Sequence, residues 1–117
     1  MLKVYGLKNC DTCRAARKWL AANDVPHEFL DVRDISLDAE TINHWVDIAG
    51  VDTLLNKRGL TWRKLDDIDK EPLDENKAVQ LMATHPALIK RPVFVKDSAV
   101  SVGFAKDESG RGHLLET

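Results

Sequence analysis

The sequence predicts an α/β fold in which two parallel strands and a hairpin share one mixed sheet. The chain begins with a strand-like run, a helix-like stretch and a second strand-like run, and a right-handed crossover makes these two strands parallel. Strand-like segments at 92–96 and 99–103, separated by Asp97-Ser98, then predict a hairpin. The expected order is β, α, β, a helical insertion, β, β and a short final helix within 106–117.

Apolar patterning sets the expected bounds of the first elements. Residues 2–7 suit a buried strand, and residues 14–22 place their apolar side chains on one helical face. An Asn-Asp-Val-Pro sequence then breaks the helix, and residues 27–32 have strand-like composition. We therefore expect a βαβ unit at the start of the chain.

The insertion is predicted to be helical. Its first helix is expected to be capped by Ser36 or Asp38 and to end at Gly50, since glycine favours the position after a helix. Residues 52–72 are less regular and predict short helices joined by turns. A further helix is expected to begin at Asp74 and to end before a proline.

Composition narrows the class of protein. The chain has 117 residues, of which 44% are hydrophobic, and we expect one domain over residues 1–117 with an insertion at about 36–90. Lys and Arg number 17 against 19 Asp and Glu, so direct binding to nucleic acid is disfavoured. Neither a secretory signal nor an apolar run of about 20 residues is recognisable, which predicts a cytoplasmic protein that does not enter a membrane.

Cys10 and Cys13 form a CxxC pair where the first strand gives way to the helix. Free backbone N–H groups and the partial positive charge of a helix N-terminus stabilise a thiolate and lower its pKa below about 8.5. Cys10 is therefore the candidate nucleophile, and Cys13, one helical turn later, is the candidate resolving thiol. In a reducing cytosol, this position next to a βαβ pattern favours redox chemistry.

Two other interpretations of the pair are less favoured. Zinc takes about four ligands, whereas the chain has no second CxxC and its histidines are scattered singly, so we expect no bound metal. A structural disulfide would close a very short loop and add little stability.

Arginine side chains are candidates to stabilise the thiolate or to hold an oxyanion. Arg14 follows Cys10 by four residues on the same predicted helix. Arg91 precedes Pro92 at the start of a predicted strand and becomes relevant if the fold brings that turn to the thiol. Asp11 opposes the thiolate electrostatically, but a lowered pKa of Cys10 is expected on balance.

Three segments carry a resemblance to a known family. They are residues 9–14 (Asn-Cys-Asp-Thr-Cys-Arg), 54–59 (Leu-Leu-Asn-Lys-Arg-Gly) and 85–92 (His-Pro-Ala-Leu-Ile-Lys-Arg-Pro). With these segments the chain resembles the ArsC/Spx family, and in particular its YffB-like branch of arsenate reductase-like proteins, over nearly its whole length. The resemblance implies a thioredoxin-like fold with a helical insertion.

The resemblance also implies roles for individual residues. In the arsenate reductases of this family the thiolate that matches Cys10 attacks arsenate, glutathione attacks the adduct, and glutaredoxin completes the cycle. It implies an oxyanion-binding arginine at Arg91, a cis-proline at Pro92 and a basic residue beside the catalytic loop at Arg14. The expected substrate-binding residues are Lys8, Asn9, Thr12, Asn56, Arg58 and Pro92.

Two positions depart from the arsenate reductases. Asn56 stands where they carry one oxyanion-binding arginine, and the neighbourhood of Gly103-Phe104 stands where they carry another. Since each charge-assisted contact contributes about 1.5–3 kcal/mol, arsenate binding is expected to be weak.

The leading hypothesis is a glutathione-dependent thiol/disulfide reductase. It has no bound cofactor, uses glutathione as co-substrate, and has glutaredoxin or a disulfide substrate as a possible further partner. The alternative is an Spx-like regulator that binds the C-terminal domain of the RNA polymerase α subunit, near Gly50, and uses the cysteine pair as an oxidation switch. Arsenate reduction is the third possibility.

Overall fold

The computed structural model of this chain describes residues 1–71 and 73–115. These residues form two compact units. The first combines Met1–Ile35 with the segment that begins at Arg91, and the second spans Ser36–Lys90. A single domain over residues 1–117, with an insertion at about 36–90, stays a prediction.

The first unit is built around a four-stranded sheet. Its elements are β1 (Leu2–Gly6), α1 (Asp11–Ala22), β2 (His27–Asp31), β3 (Val93–Lys96), β4 (Ala99–Val102) and a 3-10 helix (Glu108–Leu114). The strands lie in the order β2-β1-β3-β4, with β1 parallel to β2 and the other neighbours antiparallel. This is the predicted mixed sheet, and the fold is thioredoxin-like.

The core of this unit lies between the sheet and α1. Leu2 and Val4 of β1 pack against Ala16 and Leu20 of α1, because alternate strand residues face the same side. The cluster is completed by Val25, Phe94 and Leu114, with Trp19, Phe29 and Phe104 packed at its margin. Packing of α1 on the sheet fixes where the helix begins and therefore where the cysteine pair lies.

The second unit is helical. It contains α2 (Ala39–Ala49), α3 (Val51–Leu54), α4 (Leu60–Arg63), α5 (Asp67–Lys70), α6 (Glu75–Thr84) and a 3-10 helix (Pro86–Leu88). Helices α2 and α6 contact each other, and both contribute to the unit's buried residues. A bridge between Leu55 and Ile89 and a hydrogen bond of 2.7 Å from Asn56 N–H to Leu88 O connect the middle of the unit to its end.

Most of the expected helix ends are confirmed. Asp38, and not Ser36, caps α2 by accepting the Thr41 N–H at 2.8 Å. Gly50 ends α2 with φ +89°, a backbone conformation that residues other than glycine rarely adopt. Asp74 caps α6 through the Lys77 N–H at 2.7 Å.

Several boundaries differ from the expectation, and β2, β3 and β4 are each one residue shorter than expected. Helix α1 begins at Asp11 instead of residue 14, because Cys10 and not a later residue is its N-cap. Strand β1 ends at Gly6, one residue before the expected end. The final helix is a 3-10 helix, Glu108–Leu114, and the last two residues of the predicted 106–117 segment lie outside the described part of the chain, as does Pro72 of the predicted 52–72 segment.

Within residues 1–71 and 73–115, we find no helix with the length and apolar character needed to cross a bilayer.

Candidate active site

Cys10 lies at the junction of a tight turn and α1. The turn Leu7–Cys10 is closed by a hydrogen bond of 3.1 Å from the Cys10 N–H to the Leu7 carbonyl, and Cys10 is the N-cap of α1. The Cys10 carbonyl accepts the Arg14 N–H at 2.9 Å and so begins the helical hydrogen bonds. The turn and the helix therefore determine the position of this sulfur from both sides.

The surroundings of Cys10 lower its pKa. Partial burial raises the pKa of the thiol. This effect is outweighed by hydrogen bonds to the sulfur, which come from the backbone N–H and the thiol of Cys13, the Arg91 side chain and the Thr12 N–H. The net pKa lies below its ordinary value of 9.0, in the direction expected from the sequence. Cys10 is half-buried and free, so its sulfur can be reached.

Cys13 has the opposite character. Its side chain is fully buried, at 0% exposure, and this burial raises the pKa of its thiol to about 11. The Leu7 N–H opposes the rise, while the neighbouring Cys10 adds to it. The pKa values of the two thiols are therefore shifted in opposite directions: the surroundings favour the thiolate of Cys10 and keep Cys13 protonated at neutral pH.

Gly6 makes room for the Cys13 sulfur. A Cβ atom at Gly6 would lie 2.5 Å from Cys13 Sγ, closer than real Cβ atoms come to any neighbour. Gly6 shares the α1-facing side of β1 with Leu2 and Val4. The role of Gly6 was not predicted from the sequence. The signal for it is a glycine at a position where the alternation of buried residues along β1 would otherwise place an apolar side chain.

The Arg91-Pro92 turn meets the cysteine pair. The peptide bond between the two residues is cis, as the family resemblance implied. The Arg91 side chain hydrogen-bonds the Cys10 sulfur, and the Pro92 carbonyl accepts the Gly103 N–H at 2.8 Å. The structure thus brings together Cys10, Cys13, Thr12 and Arg91.

Arg14 has a different partner from the one expected. Its guanidinium pairs with the carboxylate of Asp11 in the first turn of α1. The pair is exposed and offsets the negative charge that Asp11 places next to Cys10. A catalytic role for Arg14 stays a prediction.

The remaining predicted residues fall into two groups. Lys8 and Asn9 are exposed in the turn before Cys10, and Lys8 Nζ pairs with Asp34 at 2.8 Å. Asn56 and Arg58 lie in the second unit, where Asn56 Oδ1 accepts the Arg58 N–H at 3.0 Å. There they line a cavity of about 300 Å³ together with Asp52, Leu55, Lys57 and Lys90.

Asp31 is a buried acid that sequence reasoning missed. Its carboxylate accepts the backbone N–H groups of Lys8, at 2.9 Å, and Arg33, at 2.8 Å. The hydrogen bonds and charge of Arg33 hold the pKa of Asp31 well below its usual range, although burial opposes this. The acid is therefore ionised near neutral pH.

In the described part of the chain, no three side chains of His, Cys, Asp or Glu are grouped closely enough to hold a metal ion.

The fold and this site together define a class. The chain is a thioredoxin-like α/β protein in which the first cysteine of a CxxC pair caps the first helix and the cis Arg91-Pro92 turn faces it. The sequence pattern of the ArsC family matches residues 5–111. The chain belongs to the ArsC family.

Three similar proteins illustrate the range of the family. The solved structure of the YffB protein is 40% identical, superposes with a TM-score of 0.88 and covers 95% of this chain and 97% of its own. An arsenate reductase related protein from Brucella melitensis is 35% identical, with a TM-score of 0.78 and coverage of 94% and 92%. The global transcriptional regulator Spx of Listeria innocua is 29% identical over 114 residues, which are 95% of this chain and 86% of the relative.

The pKa of Cys10 predicts its reactivity. Alkylation by iodoacetamide, with the modified residue located by mass spectrometry, is expected at Cys10 before Cys13 and with an apparent pKa below that of an ordinary cysteine thiol. The rate falls as pH drops through that pKa, because the thiolate is the reacting form.

Arg91→Ala is expected to raise this apparent pKa by about one pH unit, since a hydrogen bond to the thiolate is lost. Arg17→Ala is the matched control, because Arg17 stacks on the Phe29 ring at 4.2 Å. An unchanged pKa in Arg91→Ala, or alkylation of Cys13 first, contradicts the electrostatics described above.

Proposed function

We propose that this chain is a glutathione-dependent thiol/disulfide reductase with Cys10 as its nucleophile. The observation that carries the proposal is the contrast between the two thiols: Cys10 has a lowered pKa and hydrogen-bonds Arg91, whereas Cys13 is buried with a pKa near 11. Membership of the ArsC family and the thioredoxin-like fold support thiol chemistry at this position.

The first step is attack of the Cys10 thiolate on a disulfide that contains glutathione. A bond forms between Cys10 Sγ and the glutathione sulfur, the substrate disulfide breaks, and the other half leaves as a thiolate that takes up a proton. The Arg91 side chain, already hydrogen-bonded to Cys10, stabilises the negative charge on sulfur before and during this step. The product is a mixed disulfide between Cys10 and glutathione.

The second step has two routes. A glutathione thiolate attacks the glutathionyl sulfur and releases Cys10 with oxidised glutathione, or the Cys13 thiolate attacks Cys10 Sγ and releases reduced glutathione. With a pKa of about 11, Cys13 is protonated at pH 7 while Cys10 is free. Once Cys10 is in a disulfide it no longer raises the pKa of Cys13, so the resolving thiol becomes more acidic when it is needed.

Glutathione itself is an anionic peptide, and the predicted residues of the first unit are assigned to its recognition. Lys8 and Asn9 lie in the turn before the nucleophile, the Thr12 N–H hydrogen-bonds its sulfur, and Pro92 follows Arg91. Arg14 pairs with Asp11 at the start of α1. Within the second unit, Asn56 and Arg58 line a cavity with Lys57 and Lys90, and basic side chains of this kind can hold a carboxylate. We propose these roles for a cytoplasmic enzyme that uses glutathione as co-substrate and exchanges with glutaredoxin or a disulfide substrate.

Arsenate reduction is a less favourable assignment. A relative is named as related to arsenate reductase, but Asn56 and the Gly103-Phe104 region lack the arginines that the family's arsenate reductases carry there. A disulfide is uncharged at sulfur and needs fewer cations than a tetrahedral oxyanion does. Sulfur chemistry is therefore the better match to this set of side chains.

The proposal predicts distinct roles for the two cysteines in turnover. With a glutathione mixed disulfide as substrate and reduced glutathione as reductant, Cys10→Ser is expected to lower activity to the uncatalysed background, because the nucleophile is removed. Cys13→Ser is expected to leave a slower enzyme or one trapped as a mixed disulfide. Turnover is measured by coupling oxidised glutathione to NADPH consumption.

Lys18→Ala is the control, since Lys18 is an exposed residue on the same helix. Equal turnover in the wild type and Cys10→Ser would end the enzyme proposal.

A redox-sensing regulator is the second candidate function, favoured by the 29% identity to the global transcriptional regulator Spx over 95% of this chain. In this alternative, oxidation joins Cys10 and Cys13, and the disulfide changes binding to the C-terminal domain of the RNA polymerase α subunit. Gly50 is the expected neighbourhood of contact.

The regulator alternative predicts capture of that domain in a pulldown. The oxidised and reduced forms are expected to bind to different extents, and Cys10→Ser is expected to bind alike under both conditions because it cannot form the disulfide. If both redox forms of the wild type fail to bind, the regulator alternative is wrong.

A further inference from the structure

Asp31 is the last residue of β2 and carries a carboxylate whose side chain is 1% exposed. Its oxygens accept the Lys8 N–H at 2.9 Å, the Arg33 N–H at 2.8 Å, and Arg33 Nε and a terminal guanidinium nitrogen at 3.2 Å and 3.1 Å. A buried carboxylate is costly unless it is paired and hydrogen-bonded. Here both of its oxygens are engaged.

The partners of Asp31 differ in what they connect. Arg33 is two residues away, so those contacts are local to the end of β2. Lys8 is 23 residues away and belongs to the segment between β1 and α1. Among the side-chain contacts described for Asp31, the Lys8 N–H is therefore the one that connects β2 to a distant segment.

Within that segment, Lys8 lies in a turn that contacts both cysteines. It is the second residue of the turn Leu7–Cys10, which the Cys10 N–H closes on the Leu7 carbonyl at 3.1 Å. The Leu7 N–H in turn hydrogen-bonds the Cys13 sulfur. One short turn thus contacts both cysteines, and its middle is held by a buried charge on β2.

We propose that Asp31 is a positioning residue for the Cys10–Cys13 pair: its carboxylate fixes the Leu7–Cys10 turn through the Lys8 N–H, and the turn aligns the two sulfurs with the start of α1. The ion pair with Arg33 keeps Asp31 ionised, and an ionised acceptor binds an N–H more strongly than a neutral one does. The proposal concerns the positions of the two thiols and deepens the proposed reductase function. Its relevance to turnover rests on that function.

A purely electrostatic role makes the opposite prediction. Removing a negative charge from the vicinity of a thiol favours the thiolate and lowers the pKa of Cys10. Releasing the turn instead moves Cys10 out of line with the N–H groups of α1 and with Arg91, and so raises that pKa. The sign of the change therefore distinguishes positioning from charge alone.

Asp31→Asn is the first test variant. The N–H groups of Lys8 and Arg33 bind different oxygens of Asp31, so asparagine, which keeps one of these oxygens and carries an NH2 group in place of the other, leaves one of the two donors without its acceptor and loses the negative charge. Asp34→Asn is the matched control, because it removes an acid that pairs with the Lys8 side chain but not with the Lys8 N–H. The readout is the apparent pKa of Cys10 from the pH dependence of its alkylation, with folding checked by circular dichroism.

A second variant removes only the backbone donor. Proline is favoured at the second position of such a turn and lacks an N–H, so Lys8→Pro keeps the turn type while deleting the hydrogen bond to Asp31. Lys8→Ala loses the same side chain but keeps the backbone N–H. The difference between the two variants therefore measures the effect of the hydrogen bond from this N–H to Asp31. This comparison holds even if Asp31→Asn does not fold.

The proposal predicts that the pKa of Cys10 rises by about one pH unit in Asp31→Asn and in Lys8→Pro relative to Lys8→Ala, with no such rise in Asp34→Asn. A fall of this pKa in Asp31→Asn, or equal pKa values in Lys8→Pro and Lys8→Ala, overturns it. Because alkylation needs no glutathione, a protein that shows the rise but no glutathione-dependent turnover would refute the reductase and leave the positioning role standing.

Discussion

The hydrogen bonds that favour the thiolate of Cys10 at the start of α1 are the interactions on which the rest of this site depends. The pKa of Cys10 is set by a competition: partial burial raises it, and N–H groups of the first helical turn, the Cys13 thiol and Arg91 lower it further than burial raises it. A small displacement of the helix would change that balance, because hydrogen bonds weaken steeply with distance and angle. The packing of Leu20 and Ala16 against the sheet therefore helps to maintain the lowered pKa of Cys10 as well as the stability of the fold.

Cys13 shows how the sheet contributes to the same balance. Gly6 lets the buried sulfur approach β1, and burial keeps that thiol protonated while Cys10 is free. Asp31 adds a third constraint from β2 by holding the turn that precedes Cys10. The reactive pair is thus supported by both parallel strands and the helix that connects them, which explains why a βαβ unit is a suitable scaffold for a thiol nucleophile.

Much of this arrangement could be predicted from the sequence because it depends on local signals. The strand-to-helix change placed the CxxC pair at a helix N-terminus, and the family resemblance implied the cis peptide bond at Pro92. Other features depend on pairing between distant segments. The contact of Asp31 with Lys8 follows from the parallel register that puts Gly6 opposite Asp31, and that register depends on the pairing of two segments that are distant in the sequence. The pairing of Arg14 with Asp11 could not be predicted either, since a helix surface offers several partners at similar spacing.

The measurement that tests the central claim most directly is mass spectrometry of the reduced protein after exposure to oxidised glutathione under non-reducing conditions. If Cys10 is the nucleophile and Cys13 resolves it, the wild type forms the Cys10–Cys13 disulfide and Cys13→Ser accumulates a glutathione adduct on Cys10. An unmodified wild-type protein, or an adduct carried by Cys13 with Cys10 free, would contradict the account.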